Sequence, residues 1–156
     1  MDIIDLISPE RIQCDSEVTS KKRALELLSD MLASNTESPP ASALFNKLTC
    51  RERLGSTGLG HGVALPHARI EGSEKAVGAL VKLKQGIDFD SFDKHPVDLL
   101  FALVVPEHFT DEHLTILANL AEMFSNEQLC ESLRRAESAE QIYQELLHWQ
   151  SELRIA

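Results

Sequence analysis

No stretch of this 156-residue chain approaches the roughly 20 consecutive apolar residues that a membrane-spanning helix needs. The start, Met1-Asp-Ile-Ile-Asp-Leu-Ile-Ser8, also lacks the basic region that precedes the apolar core of a secretory leader. A cytoplasmic, unanchored protein is expected. Basic clusters are equally missing: the formal net charge is −10, and Lys21-Lys22-Arg23 is the densest basic run. Phosphate-backbone affinity depends on clustered Lys and Arg, so a nucleic-acid binder is excluded, and the run reads as a solvated first turn. Cys14, Cys50 and Cys130 form neither a Cys-x-x-Cys pair nor a Cys/His cluster, which removes a disulfide framework and a zinc finger. They also lack the Cys-x5-Arg spacing of a cysteine phosphatase and are expected to be buried or semi-buried spectators. Repeats and low-complexity tracts are absent, and the length suits one domain over residues 1–156 with a real core.

The apolar residues that are present carry clear periods. Ala24, Leu25, Leu28, Met31 and Leu32 recur at helical spacing behind the capping residues Thr19-Ser20. The composition of residues 34–40 is that of a loop, and a second helix is expected from near Pro40 to about Arg53. Residues 55–62 hold four glycines and read as a loop feeding a short strand, Val63-Ala-Leu65, that stops at Pro66. Residues 76–83 and 97–105 read as strands, the second so continuously apolar that it belongs in the centre of a sheet. The last third is helical, with an expected buried stripe of Leu114, Leu117, Ala118, Ala121 and Phe124, and Ser138-Ala-Glu-Gln141 has capping-box spacing. Helices, then strands, then helices predict an α/β fold: a mixed central β-sheet flanked by helices.

Chemistry concentrates in and around Gly55–Arg69. Glycine-dense loops let backbone N–H groups approach an anion. The spacing Gly55-x4-Gly60 opens like a nucleotide-binding loop, but His61-Gly62 stands where Lys-Ser/Thr would be required, and the dinucleotide fingerprint also fails by one residue. What remains is Ser56 and Thr57 in the loop, Arg51 before it and His67-Ala-Arg69 after it, a set suited to phosphate. Neutral imidazole is nucleophilic near its pKa of about 6.5, so His67 suits transient phosphoryl storage. A core histidine bonded to a carbonyl fits His67 equally well, and Ser56, Thr57 and Arg51 have ordinary readings as turn residues and a surface helix charge. His113 falls in the first turn of a helix, where the dipole favours neutral imidazole and an exposed position is expected.

Taken together, Ser20-Lys-Lys-Arg-Ala-Leu-Glu26, Arg51-Glu-Arg-Leu-Gly-Ser-Thr-Gly-Leu-Gly60, Gly62-Val-Ala-Leu-Pro-His67, Pro96-Val-Asp-Leu-Leu-Phe-Ala-Leu-Val-Val-Pro106 and His113-Leu114 span nearly the whole chain. That set resembles the IIA domains of the mannitol/fructose class of the phosphoenolpyruvate-dependent phosphotransferase system, and its free-standing nitrogen-regulatory branch above all. The resemblance implies a mannitol-type IIA fold in which His67 takes a phosphoryl group from the phosphohistidine of a small HPr-like carrier. It implies that Arg51 neutralises the phosphoryl charge, that His113 orients the nucleophile or binds phosphoryl oxygens, and that Ser56 and Thr57 assist beside them. Arg69 gains nothing from the motif, and His61 stands where relatives often carry asparagine.

No metal or cofactor is called for, because the donor is already a reactive phosphoramidate, and positioning plus charge neutralisation suffice. The implied role is regulation of partner proteins in nitrogen or potassium handling, such as transport or sensor-kinase proteins. The alternatives are a sugar-specific IIA component that passes phosphate to a IIB domain, a metal-dependent hydrolase using His61, His67 and His113, and a non-catalytic binding module.

Overall fold

A computed structural model describes residues 2–34 and 38–155, with the side chains of residues 154 and 155 left aside. The middle of the loop expected over 34–40, residues 35–37, lies outside the described residues. In chain order the elements are β1 (Ile12–Ser16), α1 (Lys21–Leu32), α2 (Ala41–Arg53), β2 (Gly58–Gly60), β3 (Val63–Ala64), β4 (His67–Ile70), β5 (Val77–Ile87), β6 (Val97–Pro106), α3 (Asp111–Phe124), α4 (Glu127–Arg135) and α5 (Ala139–Ile155).

The six strands form one mixed sheet in the order β1-β5-β6-β3-β2, with β4 paired to the far end of β6. The strand β6 is central, as its apolar run predicts: antiparallel to β5 and parallel to both β3 and β4. Strand alternation sends its side chains to opposite faces. Leu99, Phe101, Leu103 and Val105 pack under α3, α4 and α5, whereas Leu100, Ala102 and Val104 join the core beneath α1 and α2. Each fully buried Leu in these two cores is worth roughly 1.5–3 kcal/mol of apolar burial.

The helix ends follow their capping residues. The Ser20 side chain accepts from the Arg23 N–H at 3.1 Å, and Asn126 accepts from the Leu129 N–H at 2.9 Å. At the start of α5, Ser138 Oγ accepts from the Gln141 N–H, while Gln141 Oε1 reaches one residue beyond the expected partner, to the Glu137 N–H.

Residues 12–16 form a strand that the sequence reading leaves unassigned, and their burial alternates residue by residue. Three expectations need correction. The glycine-dense segment contains a strand of its own, β2, paired with β3. His67 opens β4 instead of merely following a strand. The buried stripe of α3 is Ile116, Leu120, Met123 and Phe124, which leaves Leu114 66% exposed. No described helix is long and apolar enough to cross a membrane.

Candidate active site

Pro66 cannot donate a ladder hydrogen bond, but its carbonyl accepts from the Leu103 N–H at 2.9 Å and locks β4 in register, with His67 opposite Leu103. The His67 ring then folds back on its own chain, Nδ1 lying 2.8 Å from the Leu65 carbonyl oxygen. A carbonyl can only accept, so Nδ1 carries the proton and Nε2 keeps the lone pair. Burial pushes the His67 pKa below its ordinary value, and the nearby Arg51 charge acts the same way against the Leu65 bond. The neutral, nucleophilic form therefore prevails at neutral pH.

His113 is the third residue of α3, the helix that follows β6 in the chain. Its ring meets that of His67 edge-on, with centroids 5.6 Å apart and planes at 68°. Burial lowers its pKa as well, helped by the His67 and Arg69 charges. His113 Nε2 is buried without a hydrogen-bond partner among the described residues. An orphaned polar atom of this kind is costly unless something else satisfies it.

From the other side, the last turn of α2 delivers Arg51, whose Nη1 donates to the Gly55 carbonyl at 2.9 Å. Arg51, His67, Arg69 and His113 line one open depression of about 900 Å³ together with Cys50, Leu54 and Leu114. Leu54 is 84% exposed, so large apolar side chains stand on the rim of a charged floor. Cys50 is exposed rather than semi-buried.

Ser56 and Thr57 do not line that depression. Ser56 Oγ donates to the Phe89 carbonyl at 2.7 Å and accepts from the Gly58 N–H at 3.1 Å. The buried Thr57 hydroxyl donates to Glu52 Oε1, and its N–H reaches Glu52 Oε2 at 3.3 Å. Both hydroxyls are thus spent on holding the loop. The glycines likewise serve a hairpin: Gly60, His61 and Gly62 run through φ of +90°, +56° and +81° to join β2 to β3. His61 therefore sits in the left-handed region that, glycine aside, asparagine tolerates best. The turn lines a separate depression, closed on one side by Arg134, which grips Asp98 at 3.0 Å and the His61 carbonyl at 2.7 Å.

Residues 5–149 match the family model described as phosphoenolpyruvate-dependent sugar phosphotransferase system, EIIA 2. The chain belongs to this EIIA family. Within it, the chain is 40% identical over 139 residues to a nitrogen regulatory protein of Pseudomonas aeruginosa, covering 89% of this chain and 90% of that protein. The crystal structure of nitrogen regulatory protein IIA-Ntr from Neisseria meningitidis superposes with a TM-score of 0.85 at 42% identity, over 91% of this chain and 97% of that one. Mannitol IIA of Escherichia coli shares the fold, with a TM-score of 0.76 at 20% identity over 90% and 98% of the two chains.

Reading along the sequence missed two members of this EIIA domain's polar architecture. Glu52 is 7% exposed and takes an ion pair from Lys21 at 2.9 Å in addition to the two Thr57 bonds. Lys21, expected in solvent, also stacks 4.6 Å from the Phe89 ring centroid. The run Lys21-Lys22-Arg23 gives no hint of this, because the pairing spans α1 and α2. Arg69 enters the His67 depression by strand alternation, a signal open to anyone who reads residues 67–70 as a strand. Among the described residues, no group of three or more His, Cys, Asp or Glu is placed to hold a metal ion.

Proposed function

We propose that this chain is a regulatory phosphocarrier that accepts a phosphoryl group on His67 Nε2 from the phosphohistidine of an HPr-like carrier and controls partner proteins through its phosphorylation state. The observation that carries this reading is the Nδ1–H bond of His67 to the Leu65 carbonyl, which leaves Nε2 as the lone-pair nitrogen of a ring 5.6 Å from that of His113, whose own Nε2 has no partner among the described residues. As Nε2 attacks phosphorus, the donor's P–N bond breaks and its ring departs with the bonding pair. No proton has to leave Nδ1, since the Leu65 carbonyl is already placed to bear the imidazolium that results.

His113 donates to a phosphoryl oxygen once its Nε2 carries the proton, and Arg51 offsets the dianion with the guanidinium edge that Gly55 leaves free. The open depression suits a protein donor, because two histidines must meet across an interface, and exposed Leu54 and Leu114 supply an apolar rim for it. Regulation of nitrogen-related partners rests on likeness to nitrogen regulatory proteins at 40% and 42% identity; potassium-handling partners are carried only by the family resemblance of the sequence motifs. A sugar-specific role, passing phosphate to a IIB domain, is the second reading; the family description favours it.

The test feeds phosphoenolpyruvate through the first enzyme of the pathway and an HPr-like carrier to the purified protein, then maps acid-labile phosphate. Label on His67, abolished in His67→Ala, is the expected result, and label elsewhere overturns the assignment. Efficient onward transfer to a sugar-specific IIB domain would replace the regulatory reading by the second one.

A further inference from the structure

We infer that Arg69 is a second cation for the phosphoryl group on His67, gripping its oxygens opposite Arg51. The inference rests on the proposed phosphoryl acceptance at His67 and adds a residue that the family motif leaves unassigned. In β4, Ala68 and Ile70 point into the core beneath α1 and α2, so His67 and Arg69 share the opposite face of the strand. Their register partners Leu103 and Val105 lie on the α3 side of the sheet. Arg69 therefore stands exposed two residues along the strand from the nucleophile, on the α3 side of the sheet, and it lines the same depression as His113.

Two further facts favour a ligand over a structural duty. Arg69 makes no hydrogen bond or ion pair among the described residues, although Glu107 and Asp111 line the same depression. Arg51, by contrast, has already committed Nη1 to the Gly55 carbonyl. One partly engaged guanidinium and one imidazole N–H leave a three-oxygen dianion short of donors. A free planar guanidinium supplies two in a fixed fork. The charge of Arg69 also reaches His113, which it helps to keep neutral.

The experiment compares wild type, Arg69→Gln and Arg69→Lys, each phosphorylated from phosphoenolpyruvate through an HPr-like carrier. It follows the acceptance rate, the hydrolysis half-life of the phosphohistidine and the phosphorus-31 NMR titration of the phosphoryl group. Arg69→Gln is expected to slow acceptance about tenfold and to raise the pH at which the phosphoryl group takes up its second negative charge, because a neighbouring cation favours the dianion. Arg69→Lys is expected to restore that titration and only part of the rate, keeping the charge without the fork. Wild-type rate and titration in Arg69→Gln overturn the inference, and so does a slower rate with an unchanged titration, which assigns Arg69 to carrier docking. If wild type takes no label on His67, the functional reading itself fails.

Discussion

Arg51 and Glu52 are neighbours in the last turn of α2, yet they serve opposite ends. One residue along a helix turns the side chain by about 100°. Arg51 thus faces an open depression and spends one nitrogen on a loop carbonyl, while Glu52 turns inward to Lys21 and Thr57. In the Glu52 cluster every carboxylate oxygen is engaged and shielded from water; on the His67 side, His113 Nε2 and the Arg69 guanidinium have no partner among the described residues. The contrast teaches where to look for chemistry. At this site the satisfied buried groups hold the loop in place, and the two groups without a partner line the open depression.

The largest effect that would break this contrast lies at His113. Replacing it by alanine should slow phosphoryl acceptance by about 100-fold while leaving the melting temperature nearly unchanged, since no internal hydrogen bond is lost. Stopped transfer assays alongside thermal melts check it; a lower melting temperature with an intact rate would make His113 a packing residue. Next comes the opposite signature at Glu52. Glu52→Ala removes the acceptor of a buried ion pair and two hydrogen bonds, and should cost about 3 kcal/mol, or roughly 9 °C in a domain of this size, with little change in transfer per folded molecule.

The smallest effect is electrostatic and sharpens the boundary between the two regions. Arg51→Gln removes a charge that depresses the His67 pKa, so the imidazole should titrate at higher pH than in wild type, as read from its C2 proton by NMR. Stability responds accordingly. Because the pKa values of His67 and His113 are lowered by folding, the unfolded chain binds the extra protons. Stability should be full above the ordinary histidine pKa of about 6.5 and fall as pH drops below it towards the folded-state values. Urea midpoints measured against pH should show that acid-side slope, shallower in Arg51→Gln.

How much of this was legible in the chain depends on the range of the determining contact. The strand β6 and the helices α1 and α2 announce themselves, because apolar periodicity is local. The strand β1 hides behind Gln13 and Asp15, and β2 behind glycines that sequence reading assigns to loops. Leu114 reads as core by its chemistry, but the face of α3 that turns inward is the one carrying Ile116, Leu120, Met123 and Phe124, and Leu114 is left in solvent. At the site, the motif named His67, Arg51 and His113, which the fold gathers around one depression. Ser56 and Thr57 sit in the same motif for another reason: their partners, Phe89 and Glu52, are fixed by tertiary packing that spacing alone does not encode. Arg69 was legible as a charge and became interpretable only once residues 67–70 were recognised as a strand.

The placement of β6 has a consequence for folding kinetics. One end of this strand carries β4 and with it His67; the chain then leaves the same end at Pro106 to begin α3 and position His113. The two imidazoles come within 5.6 Å of each other only after a parallel pairing has closed and a helix has docked across it, both non-local events that form slowly compared with helices. The proposed competence to accept phosphate is therefore a late-arriving property of a refolding chain, and the time course of its return would report the completion of the sheet.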